Sequence, residues 1–325
     1  MTVTPIARLV LRRALLAVPV LVLVSVAIFA LAAASPFDPL SAYLGDRYLT
    51  MDPDDQARLA AQLGFDDPWP QRYLHWAGDL LTGDLGTSVA LRQPVVDVIV
   101  ERLPWTILLV AVALLMAMST ALVLGVWSAW RQGGWVDRAV TAFSHAIEGI
   151  PPFVVALGAI AVFGVALSWL PVAGLTDAGA PVTFAQVARH LVLPALVLGL
   201  SQTPVLLLHV RQSLLTALSD DHVAGARARG LPEARVVLRH ALPAALLPFT
   251  TLLGARVAEI VTGAVLVEEV FSWPGAAQAV VRAAVAVDFP LLAALTLLST
   301  IAVLVGSLLA DVAYALLDPR VAADG

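Results

Sequence analysis

Six apolar runs, near residues 10–34, 105–129, 143–168, 191–215, 246–267 and 290–315, leave this chain few ways to fold. Each is about 20 residues or longer, enough for a helix to cross a hydrocarbon layer of about 30 Å. Inside such a layer the backbone has no water to bond to, so a spanning segment satisfies its own amides and carbonyls as a helix. With 325 residues, 60% of them hydrophobic, 13% charged and a mean hydropathy of +0.88, the chain is too apolar for a soluble globule of its size. The expected fold is all-α, a polytopic membrane protein with six transmembrane helices.

The polar remainder excludes several functions. Cysteine is absent, which removes disulfides, thiolate catalysis and thiolate metal sites. His75, His145, His190, His222 and His240 are dispersed without ligand spacing, so no metal site is expected. The net charge of -5 comes largely from residues 35–103, rich in aspartates such as Asp52, Asp54, Asp55, Asp66 and Asp67, and gives no reason to expect nucleic-acid binding.

Arginine placement orients the spans, because basic residues near span ends stay on the cytoplasmic side. Arg8, Arg12 and Arg13 put the N-terminus inside; with six crossings the Arg131–Arg138 turn, the segment around 219–247 and the Arg320 tail fall inside too. The first run ends in LAAASP, a small-residue pattern like a cleavage site, but it is longer than the apolar core of a signal peptide and reads as an uncleaved helix. Three regions follow: 1–34, the N-terminus and first span; 35–104, an exterior loop; and 105–325, a five-helix core with a cytoplasmic loop at 219–247. In the exterior region DPDDQARLAAQLGF and YLHWAGDLLTG carry apolar residues at helical spacing, so short helices on the membrane surface are expected there.

Between the fourth and fifth spans, Asp220–Pro248 reads DDHVAGARARGLPEARVVLRHALPAALLP. A stretch holding Arg227, Arg229, Arg235 and Arg239 belongs in water, since each arginine at mid-membrane costs about 2.5 to 3.5 kcal/mol. Ala224, Gly225 and Ala226 let another surface approach a helix closely, and Gly230 followed by Leu231 and Pro232 ends that helix and starts a second. Arginine content alone is equally served by a loop touching anionic lipid, but lipid attraction requires neither the small residues nor Gly230.

DHVAGARARG and LRHALPAALLP resemble the cytoplasmic loop of permease subunits from binding-protein-dependent ABC importers, closest to the oligopeptide, dipeptide and nickel branch. That loop carries Glu-Ala-Ala, a glycine four residues later and a Leu-Pro further on; here Ala224 stands for the glutamate, Gly225 for the first alanine, and His240 where isoleucine is usual. Leu63–Ser88 is similar to the first exterior loop of the branch, Val267–Gly275 to the segment after its fifth span, and Val287–Pro290 and Leu316–Arg320 to the two ends of its last span. The resemblance implies a type I ABC importer permease fold in a bacterial cell membrane, with the loop acting as a coupling helix on an ATPase. Ala224, Gly225, Ala226, Arg227, Arg229, Gly230, Leu242 and Pro243 are the coupling candidates it implies. Its implied partners are a second homologous permease, two ABC ATPase subunits or a fused pair, and an extracytoplasmic binding protein. Peptide is the implied substrate, with nickel or glutathione as alternatives.

Ionisable groups within the spans come next, because they are costly in lipid and usually face protein or water. Arg256 and Glu259 share a helical face, either as a structural ion pair or as pathway lining. Glu148 precedes Gly149, Ile150, Pro151 and Pro152, which should kink the third span at a gate or a packing bend. His209 and Arg211 read as snorkelling or capping groups. No GxxxxGK[ST] phosphate loop is present, so no catalytic residue and no cofactor is expected on this chain, and ATP and Mg would sit on the partners. The rival reading is a secondary transporter driven by an ion gradient, with Glu148, Arg256 and Glu259 coupling the ion.

Overall fold

The computed structural model describes residues 3–36 and 38–317, so the Arg320 tail and the end of the Leu316–Arg320 motif lie outside the described residues. Helices dominate, and among the described residues β pairing is limited to an isolated bridge between Thr87 and Pro94. In chain order the helices begin with α1 (Val3–Ala33), the short α2 (Pro39–Leu44), α3 (Pro53–Gln62), α4 (Trp69–Thr82) and α5 (Val95–Trp130). Next come α6 (Trp135–Glu148), α7 (Pro152–Ala159), α8 (Phe184–Leu218), α9 (Asp221–Ala228) and α10 (Glu233–Arg235). The last three are α11 (Leu242–Val270), α12 (Ala276–Val285) and α13 (Phe289–Leu317).

Among the described residues, five helical segments are long and apolar enough to cross a membrane, and a sixth crossing is counted when α6 and α7 are taken together. The third expected span is therefore not one helix: its two parts meet at an angle of 102°. Pro151 caps α7 in an extended conformation and Pro152 sits in its first turn, so neither supplies an N–H to carry α6 onward. Beyond α7 the helix widens at Ile160–Ala166 into a turn closed by longer-range hydrogen bonds.

The chain divides into two compact units, and α1, α5 and α13 each contribute a segment to both. Of the described residues, the first takes in 3–11, 107–273 and 305–317. Its hub is α8, which packs on α6, α7 and α11 and has most of its middle buried. Without water to drive helices together, close backbone approach through small residues does much of the work in such packing. Gly199 shows this, since a Cβ there would lie 2.9 Å from the Ala113 carbonyl oxygen of α5.

The second unit comprises residues 12–106 and 274–304. The expected short helices are present in the stretch between α1 and α5: Asp52 caps α3 by accepting from the Asp54 amide at 3.0 Å, and Gly83 ends α4 with φ of 90°. An aromatic cluster then fixes α4 against α1 and the start of α13, with Phe29 5.4 Å from Tyr73, 5.3 Å from Trp76 and 5.5 Å from Phe289 between ring centroids. Arg72 lies over the Phe289 ring at 4.0 Å, and burial pulls its guanidinium below the ordinary arginine value while Asp67 opposes that shift. Asp288, fully buried, accepts from the Ser88 hydroxyl at 2.6 Å and the Ala90 amide at 2.9 Å, and reaches the Leu291 amide at 3.3 Å. One carboxylate thus caps α13 and fastens the loop that leads into α5.

Candidate functional site

The segment between α8 and α11 folds as a helix-turn-helix within the first unit. α8 ends at Leu218, Asp220 turns the chain in extended conformation, and α9 runs for 8 residues. Gly230 then adopts φ of +73°, a left-handed conformation that strains any residue with a Cβ, and Pro232 starts α10. The second helix is longer than expected: α10 passes through a wide turn at Val236–Ala241 straight into α11. The helix of the fifth span thus runs from Glu233 to Val270 with no break after the turn.

Alternating burial gives the segment an inner and an outer face. Val223, Ala226, Val236, Val237 and Ala241 are fully buried and pack with Ala129, Leu214, Ala217 and Ala245. Ala224, Gly225, Arg227, Arg229 and Gly230 are exposed. Ala226 therefore packs into the chain's own core, while Ala224, Gly225 and Gly230 present little side-chain bulk between the exposed arginines. Of the later candidates, Leu242 is half-buried and Pro243 exposed, and both line a shallow apolar groove of about 500 Å³ with Leu238, Leu246 and Leu247.

Polar contacts close the turn. Arg227 donates to both carboxylate oxygens of Glu233, at 2.7 and 3.3 Å, and to the Leu218 carbonyl at 3.3 Å, tying α9 to α10 and to the end of α8. The Glu233 carboxylate raises the affinity of the Arg227 guanidinium for its proton. A His222 ring nitrogen lies 3.1 Å from the His240 carbonyl oxygen.

The candidate pathway residues form two local pairs. Glu148 lies 3.8 Å from a ring nitrogen of His145 one turn earlier, at the exposed end of α6, directly before the Pro151 and Pro152 break. Arg256 donates to Glu259 within α11; the Arg256 side chain is 17% exposed and that of Glu259 is 57% exposed, so the arginine is the inner partner.

A third pair was not anticipated. Arg211, expected to snorkel or cap, instead grips Asp137 of α6 through two hydrogen bonds of 2.6 and 3.0 Å. Ser128 of α5 donates to the same carboxylate at 2.5 Å and the Gly133 amide at 2.8 Å. Asp137 is 5% exposed, so this network rivets the α5–α6 corner to α8 about two turns before the helix-turn-helix begins. One sequence signal was available: an acid opening one apolar stretch and an arginine closing another each call for a counter-charge.

Fold and site together define a multi-pass, all-α membrane protein that carries a compact polar element between two of its crossings. Residues 121–323 match the family described as "Binding-protein-dependent transport system inner membrane component", and residues 6–110 match the corresponding N-terminal region. The chain belongs to that family. It is 35% identical over 317 residues to the oligopeptide transport system permease protein AppB of Bacillus subtilis, covering 96% of this chain and 98% of the relative. It is 35% identical to the di/tripeptide transport system permease protein DppB of Pseudomonas aeruginosa, covering 95% and 97%, and 32% identical to the dipeptide transport system permease protein DppB of Escherichia coli K12, covering 96% and 98%.

Proposed function

We propose that this permease imports oligopeptides or dipeptides as one half of an ATP-driven transporter. The reading rests on the helix-turn-helix from Asp220 to Ala241, an element whose exposed face includes Ala224, Gly225 and Gly230, which follows α8 after a tight turn and runs without interruption into α11. A surface with so little bulk accepts a groove on a soluble partner, and the arginines around it keep it in water. The partners are two cytoplasmic ABC ATPases, separate or fused, a second homologous permease that completes the pathway, and an extracytoplasmic binding protein that delivers peptide. Both termini and the helix-turn-helix lie in the cytoplasm, as the arginine distribution of the short loops favours. The chain performs no covalent chemistry and binds no cofactor; ATP and Mg reside on the ATPases.

In this reading ATPase closure draws the coupling elements together and opens the pathway outward, and hydrolysis returns it inward. Ala224, Gly225, Arg229, Gly230 and Pro243 face the ATPase, while Ala226, Arg227 and Leu242 hold the element in shape. Glu148, Pro151 and Pro152 form the hinge at a break in the pathway wall, and Arg256 neutralises Glu259 on α11. Family membership favours this reading over an ion-gradient transporter, and the names of the relatives favour peptide over nickel or glutathione.

The test is peptide uptake by the complete transporter in vesicles. Gly230→Glu places a bulky charge on the docking face at a left-handed position and should abolish ATP-dependent uptake while membrane insertion remains normal. Gly230→Asn, which tolerates left-handed backbone, should retain most uptake. Normal uptake by Gly230→Glu would overturn the docking role.

A further inference from the structure

A second site lies beside the helix-turn-helix. The end of α5, the turn into α6 and the end of α8 enclose a cavity of about 830 Å³, closed on one side by Arg227 and Glu233. Trp127 and Trp130 stand on the last turn of α5 and Trp135 opens α6; they are 45%, 40% and 77% exposed, large apolar surfaces left uncovered at the rim. Indole rings gather at the headgroup level of a bilayer, where the ring meets acyl chains and its N–H meets polar groups. This cavity lies at that level, because α5 and α8 both leave their apolar stretches here.

Charge distinguishes the cavity from an ordinary interfacial groove. Arg131 lines it and makes no ion pair or side-chain hydrogen bond among the described residues. The one carboxylate in the lining, Glu233, is already engaged by Arg227. An unpaired guanidinium therefore shares the space with three indoles and the aliphatic side chains of Val136, Leu215 and Leu218, with no acid in the lining free to neutralise it. The geometry points to a phosphate-bearing headgroup of an acidic phospholipid as the occupant, its phosphate bonded by Arg131 and its acyl chains running along the tryptophans of α5. An occupant here touches both sides of the helix-turn-helix closure, so lipid composition would bear on its stability. This inference does not depend on which solute the protein carries.

The test is retention of phosphatidylglycerol by the full-length permease, extracted from bilayers of phosphatidylglycerol and phosphatidylcholine and weighed by native mass spectrometry. Arg131→Gln should lower retention about fivefold, the effect of one basic residue near an anionic membrane surface. Trp130→Ala should lower it in the same direction, and Arg138→Gln, an exposed arginine outside the cavity, should leave it unchanged. Unchanged retention in Arg131→Gln would overturn the site, and so would an equal loss in Arg138→Gln, which would mean unspecific charge attraction. Displacement of the lipid by inorganic phosphate would assign the cavity to free phosphate and overturn the lipid. Protection of Arg131 by the ATPase subunits in phosphatidylcholine alone would make the cavity part of protein docking and overturn it equally.

Discussion

Two arginine–carboxylate pairs in the first unit have similar geometry and opposite surroundings. Arg211 holds Asp137 at 2.6 and 3.0 Å with the acid almost fully buried, and Arg227 holds Glu233 at 2.7 and 3.3 Å with both side chains more than two-fifths exposed. Buried charges were stripped of water to reach one another, so removing either strands the other at high cost. Exposed charges keep their hydration, and removing one costs little. The same chemistry therefore serves as a rivet at the α5–α6 corner and as a closure at the helix-turn-helix. Such a division is what the proposed coupling role calls for, one region held fixed while an adjoining one moves.

The sharpest way to break the comparison is to remove the buried acid. Asp137→Ala leaves Arg211 and the Ser128 hydroxyl without their acceptor and should destabilise the purified permease by about 3 to 5 kcal/mol, measured as thermal unfolding in detergent. Replacing both partners, Asp137→Leu with Arg211→Met, should recover most of that loss. A single variant as stable as the wild type would show that Asp137 is no rivet. Asp288 in the second unit should come next. Asp288→Ala removes a charged acceptor from Ser88 and Ala90, bonds that contribute about 1.5 to 3 kcal/mol, and proteolysis between residues 84 and 94 should accelerate accordingly. Unchanged cleavage would mean that the loop is held by its backbone alone.

The Arg256 and Glu259 pair falls between the extremes. Arg256→Leu should cost about 1 to 2 kcal/mol, below the buried range because Glu259 is half-exposed, and the double variant with Glu259→Leu should cost less than the single one. Quantities of assembled transporter in the membrane would rank them. Equal or greater damage in the double variant would argue that Glu259 acts in the pathway rather than as a counter-charge.

What the sequence disclosed follows the same physical divide. The crossings were legible because hydrocarbon imposes length and apolarity on each segment independently. The turn at Gly230 was legible because a glycine followed by Leu231 and Pro232 leaves a helix little choice. The break at Pro151 and Pro152 was legible as a kink but not as a bend of 102°, since the angle depends on what α6 packs against. Ala226 could not be sorted from Ala224 or Gly225, because small residues suit a close-packed core and a docking face equally, and only the rotation of α9 decides. Asp137 with Arg211, 74 residues apart, and Ser88 with Asp288, 200 apart, are products of tertiary packing that local patterns do not carry. Both residues of the latter pair lie in stretches with family resemblance, yet the contact between those stretches emerged only from the fold.

The exposed pair offers the smallest effect and the finest discrimination. Arg227→Ala removes the bonds to Glu233 and to the Leu218 carbonyl, yet its stability cost should be about 0.2 to 1 kcal/mol. That increment should shrink as salt rises, because the screening length falls from about 10 Å at 0.1 M to about 3 Å at 1 M. The Asp137→Ala loss should hardly respond, since mobile ions do not penetrate between buried groups. Uptake should move the other way: a loosened turn docks poorly, so Arg227→Ala should lose more transport than its small change in stability accounts for. Unfolding and uptake measured on one preparation across a salt series separate the roles. If the Arg227 stability loss is as large and as salt-independent as that of Asp137, the helix-turn-helix is riveted like the corner, and its motion against a partner must arise elsewhere along α8 and α11.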